Sequence, residues 1–96
     1  MSKYVFAFRN VANRAATAGE EEAWTAWFGE LGGAVADFGN RVSRVSMVGG
    51  AGTDPDALSG YVVVAADSLD SAVALAKGCP GLQAGGRVEV GEILEM

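Results

Sequence analysis

Histidine is absent from this chain of 96 residues. That gap removes the side chain whose ordinary titration lies nearest neutral pH. With it go any His-based proton shuttle, any Ser–His or Cys–His nucleophile pair and any imidazole metal ligand. Cysteine is nearly absent too: Cys79 stands alone, so no disulfide can form within the chain, which fits a reducing compartment. With no histidine, one cysteine and no cluster of carboxylates on a strand, no metal-binding set assembles, and neither a metal nor another cofactor is expected. Basic residues are scarce, 7 against 12 acidic ones for a net charge of −5, and they form no stripe. Phosphate neutralisation requires clustered Lys and Arg, so nucleic acid is not an expected partner. No uninterrupted apolar run approaches the ~20 residues of a membrane span. Lys3 is followed by a short strand-like run rather than a signal-peptide core. A cytoplasmic protein with no membrane partner is the resulting expectation.

What the chain has is apolar residues, 50% of the total. Residues 1–96 make one domain, which at this size buries roughly 60–70% of its unfolded surface. That apolar content is high for so short a chain, and a second layer of burial against a partner subunit would account for it. The run from Leu58 to Leu82 organises the rest. Ser59 to Ala66 is continuous and β-branched, a central strand. Asp67 or Ser68 then supplies N-cap chemistry for a helix over 68–77, whose buried face is Leu69, Ala72, Val73 and Ala76. Gly78 and Pro80 stop it.

Before this unit, Lys3 to Arg9 alternates, with Tyr4, Phe6 and Phe8 on one face of a strand. Thr17 with Glu20 reads as a capping box, and Glu20–Glu22 suit a helix's first turn. The helix over 20–31 places Trp24, Trp27, Phe28 and Leu31 on one side. Two readings of those aromatics stand: ordinary core, the default for this spacing, or the wall of a ligand pocket. A second strand over 34–38 meets turn chemistry at Gly39-Asn40, and the alternation over 41–48 reads as its continuation after a bulge. Gly49 to Asp56 is a loop whose glycines precede no helix, so they cradle no phosphate. A last strand runs from Arg87 to about Leu94. The order β-α-β-β-α-β is the ferredoxin-like α+β arrangement, an antiparallel sheet with two helices on one face. The other face keeps apolar residues with no helix to cover them. A second copy of the sheet would cover it, closing a barrel between the subunits of a homodimer.

The run Gly60-Tyr61-Val62-Val63-Val64-Ala65-Ala66-Asp67-Ser68-Leu69-Asp70-Ser71-Ala72, then Ala76-Lys77-Gly78-Cys79-Pro80 and Gly85-Gly86-Arg87-Val88-Glu89-Val90, resembles the YCII-related proteins. Ala26-Trp27-Phe28-Gly29-Glu30-Leu31 and the following Asp37 fit as well. The resemblance implies a ferredoxin-like dimeric α/β barrel. Some relatives are thought to act on small organic compounds with a His–Asp pair, one as a dehydrochlorinase of an aromatic. In this chain the family histidine falls at Phe28, and the Asp-Gly-Pro-Phe signature before the third strand is missing, with Thr53-Asp54-Pro55-Asp56 there instead. A His–Asp pair is therefore excluded by composition, and the aspartate, Asp37, is what survives.

Asp37 is also the one carboxylate embedded in apolar sequence, between Val35-Ala36 and Phe38. Half-buried on a strand, it would be placed to serve as a general base. Its structural alternative is to accept backbone N–H bonds at the Gly39-Asn40 turn. Around it, Trp27, Phe28, Asn40, Arg9 and Ser46 are candidate ligand contacts, and Arg41 and Arg44 further candidates for holding a carboxylate. Each arginine equally suits a solvated strand end. Cys79, in a turn with no histidine partner, reads as buried and inert. Two function classes follow. One is a dimeric binding domain with a pocket for a small organic ligand near Asp37. The other is a lyase or isomerase in which Asp37 moves a proton on a small cyclic or aromatic compound.

Overall fold

The computed structural model describes residues 1–11, 18–49 and 56–94. Its elements are β1 (Ser2–Val11), α1 (Ala18–Leu31), β2 (Val35–Arg41), β3 (Asp56–Ala66), α2 (Leu69–Ala76) and β4 (Arg87–Glu92). Short 3-10 turns at Gly32–Ala34 and Pro80–Ala84 lead into β2 and β4. The four strands form one sheet in the order β2-β3-β1-β4, each neighbour antiparallel. This is the ferredoxin-like α+β arrangement expected from the element order. The Thr17–Glu20 capping box and most of the loop over 49–56 lie outside the described residues.

The core follows from period-2 alternation on two central strands. Tyr4, Phe6 and Phe8 of β1 pair with Val64, Val62 and Gly60 of β3, and all of these are buried. The i, i+3, i+4, i+7 stripe of α1 lies on this face. Trp27 and Leu31 are fully buried, while Trp24 and Phe28 are half-buried. Trp27 is the hub: its ring is 6.3 Å from Phe6, 5.8 Å from Phe8, 5.7 Å from Trp24 and 5.4 Å from Phe28. Such aromatic pairs add to the area that they bury. A methyl group added at Gly78 would come within 3.0 Å of the indole nitrogen, so a residue with no side chain lets the end of α2 close onto Trp27.

Of the two candidate caps, Ser68 caps α2, its hydroxyl accepting from the Ser71 N–H at 3.1 Å. Ala72 and Ala76 are small enough to bring the helix close, and both are buried. Leu69 departs from the expected face: it is 48% exposed, and Leu75 packs against the core in its place. A first-turn position next to the cap lies beyond the edge of the sheet contact, which explains why its apolar character went unused. Cys79 is buried behind α2, and burial pushes its thiol pKa up.

β2 runs through Gly39 to Arg41 with register shifts on both sides of Asp37. Gly39 has φ +63°, and a Cβ there would overlap the Tyr61 carbonyl. A left-handed residue at the bulge is what glycine permits. The strand then stops. The Val42 N–H donates to the Ser59 carbonyl at 2.9 Å, and residues 43–49 make no ladder, so the strand expected over 41–48 ends at its first residue. Val45, Met47 and Val48 are exposed. Alternation alone cannot make a strand; it needs a neighbour to bond to, and the pairing with β3 is not continued past the Val42–Ser59 bond although β3 itself extends to Asp56.

The sheet face away from the helices carries Val5, Ala7, Val63 and Ala65, all half-buried. No helix among the described residues is long and apolar enough to cross a membrane.

Candidate functional site: an aromatic groove beside β2

The two helices do not cover the sheet evenly. α1 lies over β1 through its aromatic stripe, and α2 packs on β3 and β4. The end of the sheet where β2 meets the start of β3 is left open on the helix side. A groove of about 600 Å³ runs there between α1 and β2. Trp24, Thr25 and Phe28 form one wall, and Phe38 with Gly39, Asn40 and Arg41 forms the other. Phe8, Ser59 and Gly60 make the floor.

Register explains these positions. Arg41 is the Cα partner of Gly60, and Gly60 of Phe8, so the three share the helix-side face. Gly60 has no side chain, and a Cβ there would approach the Asn40 carbonyl to 3.1 Å, which keeps the floor low. Phe38 is 68% exposed yet meets Phe28 edge-on at 6.2 Å, which fixes the distance between the walls. At the inner end Trp24 meets Phe8 edge-on at 4.8 Å. The floor's polar groups are already committed: Asn10 Nδ2 donates to Ser59 Oγ at 3.0 Å, and Ser59 Oγ donates to the Phe8 carbonyl at 3.1 Å. That chain bridges the register shift at Phe8/Arg9, where the β1–β3 ladder is interrupted.

Of the residues singled out from sequence, the groove brings together Phe28, Asn40 and Arg41. Asn40 Nδ2 donates to the Tyr61 hydroxyl at 3.0 Å, tying β2 to β3. Trp27 is 4% exposed and faces the core, beneath the groove rather than in it. Arg9 lies over β4, its Nε 3.7 Å from Glu89 Oε1. Ser46 is exposed in the irregular segment after β2. Asp37 is not among the groove's lining residues. Its carboxylate is exposed and accepts the Gly39 N–H at 2.7 Å. The apolar neighbours that suggested a half-buried carboxylate lie along the strand and do not cover it; this is the turn-bonded arrangement set out above as its structural alternative. Trp24 belongs to the pocket-wall reading of the α1 aromatics, whereas Phe38, Gly60 and Tyr61 went unrecognised as groove residues. Trp24 and Phe28 at i and i+4 carried a signal for a shared wall. Phe38 and Gly60 become visible only with the register.

Among the described residues there is no group of His, Cys, Asp and Glu able to hold a metal ion. The family model for the YCII-related domain matches residues 10–96, and the chain belongs to that family. Neither a curated protein nor a solved structure gives a match to it.

Proposed function

We propose that this protein is a small homodimeric binding domain of the YCII-related family that takes a small organic ligand in the groove between α1 and β2. The observation that carries the reading is the groove itself. It is about 600 Å³, within the range of ligand sites, and is lined by aromatic rings with few polar groups left free. It adjoins Asp37 along β2 without including it. Residues of the central sheet hold its floor, so the site is largely preformed. A proton-transfer role for Asp37, the lyase or isomerase reading, lacks comparable support, because that carboxylate is committed to the Gly39 N–H. A cytoplasmic location is the matching expectation: a single buried thiol with no disulfide partner suits a reducing compartment.

A fragment screen by amide and indole NMR tests the site. Bound compounds should move the Gly39, Gly60 and Tyr61 amides and the Trp24 indole together. Thr25→Trp supplies the control. Thr25 is exposed, and its hydroxyl only donates to the Glu21 carbonyl one turn back, so a larger side chain obstructs the groove without entering the core. Loss of the shifts in Thr25→Trp supports the groove. A screen in which no compound moves this cluster, or in which Thr25→Trp responds as wild type does, overturns it.

A further inference from the structure

We infer that the groove selects a small aromatic monocarboxylate, with its ring between the aromatic walls and its carboxylate on the Arg41 guanidinium. The inference rests on the groove being a ligand site and names what that site would prefer.

Arg41 is the last residue of β2 and stands on the helix-side face, in line with Gly60 and Phe8. Gly60, between them, carries no side chain to fill the space over the floor. Arg41 has no ion-pair partner among the described residues, whereas Arg9 is paired with Glu89. An unpaired guanidinium at the rim of an apolar groove offers two parallel N–H donors to a planar carboxylate. Among the described lining residues the one carboxylate is Glu21, which lies on the α1 side and likewise has no ion-pair partner among the described residues. Among the described residues these two side chains balance each other's charge, so the groove accommodates one anionic centre beside Arg41, and a second would face Glu21. The ligand body is set by Trp24, Phe28 and Phe38. Phe28 and Phe38 already meet edge-on across the gap, the arrangement that an inserted ring extends by stacking or edge contact. A cavity of about 600 Å³ holds a one- or two-ring acid with room for water at its mouth.

The test compares acids with their neutral amides: benzoate, phenylacetate and indole-3-acetate against benzamide, phenylacetamide and indole-3-acetamide. Each is titrated at low salt while the groove amides and the Trp24 indole are followed by NMR. At least one acid should bind roughly tenfold tighter than its amide, the scale of a charge-assisted hydrogen bond at a solvent-accessible site. Arg41→Gln should abolish that preference, Arg41→Lys should retain part of it, and added salt should weaken it. Because Arg41 is exposed at a strand end, resonances away from the groove should stay in place in both variants. Acids and amides binding alike, with Arg41→Gln unchanged, would overturn carboxylate selection and leave the ligand site standing. Binding by none of the six would also overturn it, and the ligand site would then be judged by the wider screen and its Thr25→Trp control.

Discussion

Trp27 shows how a single residue serves the fold without serving the site. Its spacing with Trp24, Phe28 and Leu31 fixed which side of α1 is apolar, but spacing could not divide that side into core and wall. The division comes from rotation by one position. Trp27 points down between Phe6 and Phe8, while Trp24 and Phe28 flank it and reach the groove. Trp27→Ala should therefore cost about 3–5 kcal/mol, the range for emptying a buried aromatic position. Urea denaturation measures this directly, and an unchanged midpoint would show that the indole is not core. Cys79 gives a second residue-level expectation. Burial raises its pKa above the ordinary value of 9.0, so the folded state keeps a proton that the unfolded state loses. Its contribution is thus fully present below about pH 9.0 and is lost as pH rises through the folded value. Urea midpoints at pH 7 and pH 10 should fall further in wild type than in Cys79→Ala. Equal falls would mean that the thiol is solvated in the folded state.

Among the elements, β2 decides whether the groove exists, and it is also where sequence was least informative. Strands β1, β3 and β4 and both helices were legible because each has a strong period or a cap: Tyr4-Phe6-Phe8, the aromatic stripe, the β-branched run and Ser68. The pattern of β2 continues past Arg41, but a pattern records what a strand would bury and not whether a neighbour pairs with it, so 43–48 reads as extended yet joins no ladder. The glycine-asparagine pair signals a bulge or bend, and the register shifts between Asp37 and Asn40. Its consequence, that Phe38 and Arg41 turn toward α1, depends on register. The bulge makes a sharp comparison possible. Gly39→Ala must put a Cβ against the Tyr61 carbonyl at φ +63°, a backbone state that alone costs an L-residue roughly 1–2 kcal/mol. The total should exceed that, or β2 should peel from β3. Asp37→Ala removes only an exposed acceptor for the Gly39 N–H and should cost less than about 1 kcal/mol. Thermal unfolding of the pair checks the order. If Asp37→Ala were the more damaging, the carboxylate, and not the glycine, would be what shapes the bulge.

At the scale of the whole molecule the question is what covers the second face of the sheet. Both helices lie on the face of Phe6 and Val62, and the opposite face presents Val5, Ala7, Val63 and Ala65, flanked by Tyr61 and Asn40 and by the exposed carboxylates of Asp37, beside Val63, and Glu89, beside Ala7. Four strands about 4.8 Å apart span ~19 Å, and the ten residues of β1 reach about 33 Å. Because β2 and β4 are shorter, at 7 and 6 residues, the projected area is ~540 Å² before side-chain relief, somewhat below the roughly 800 Å² that each partner contributes to a standard interface. A second copy suits such a face best. The chain's own helices are already placed, and two like sheets packed across a two-fold axis offer each other the same apolar strip. The ligand groove opens on the helix side, so this pairing would leave it accessible in both subunits. We expect sedimentation at micromolar concentration to give a mass near twice 9.8 kDa. Val63→Glu puts an unpaired charge in the middle of that strip and should yield a monomer with its groove resonances intact, since Val63 faces away from the helices. A wild-type monomer at that concentration would remove the dimer. A Val63→Glu protein that still dimerised would move the interface to another surface, with the exposed Val45, Met47 and Val48 as the next apolar group to change.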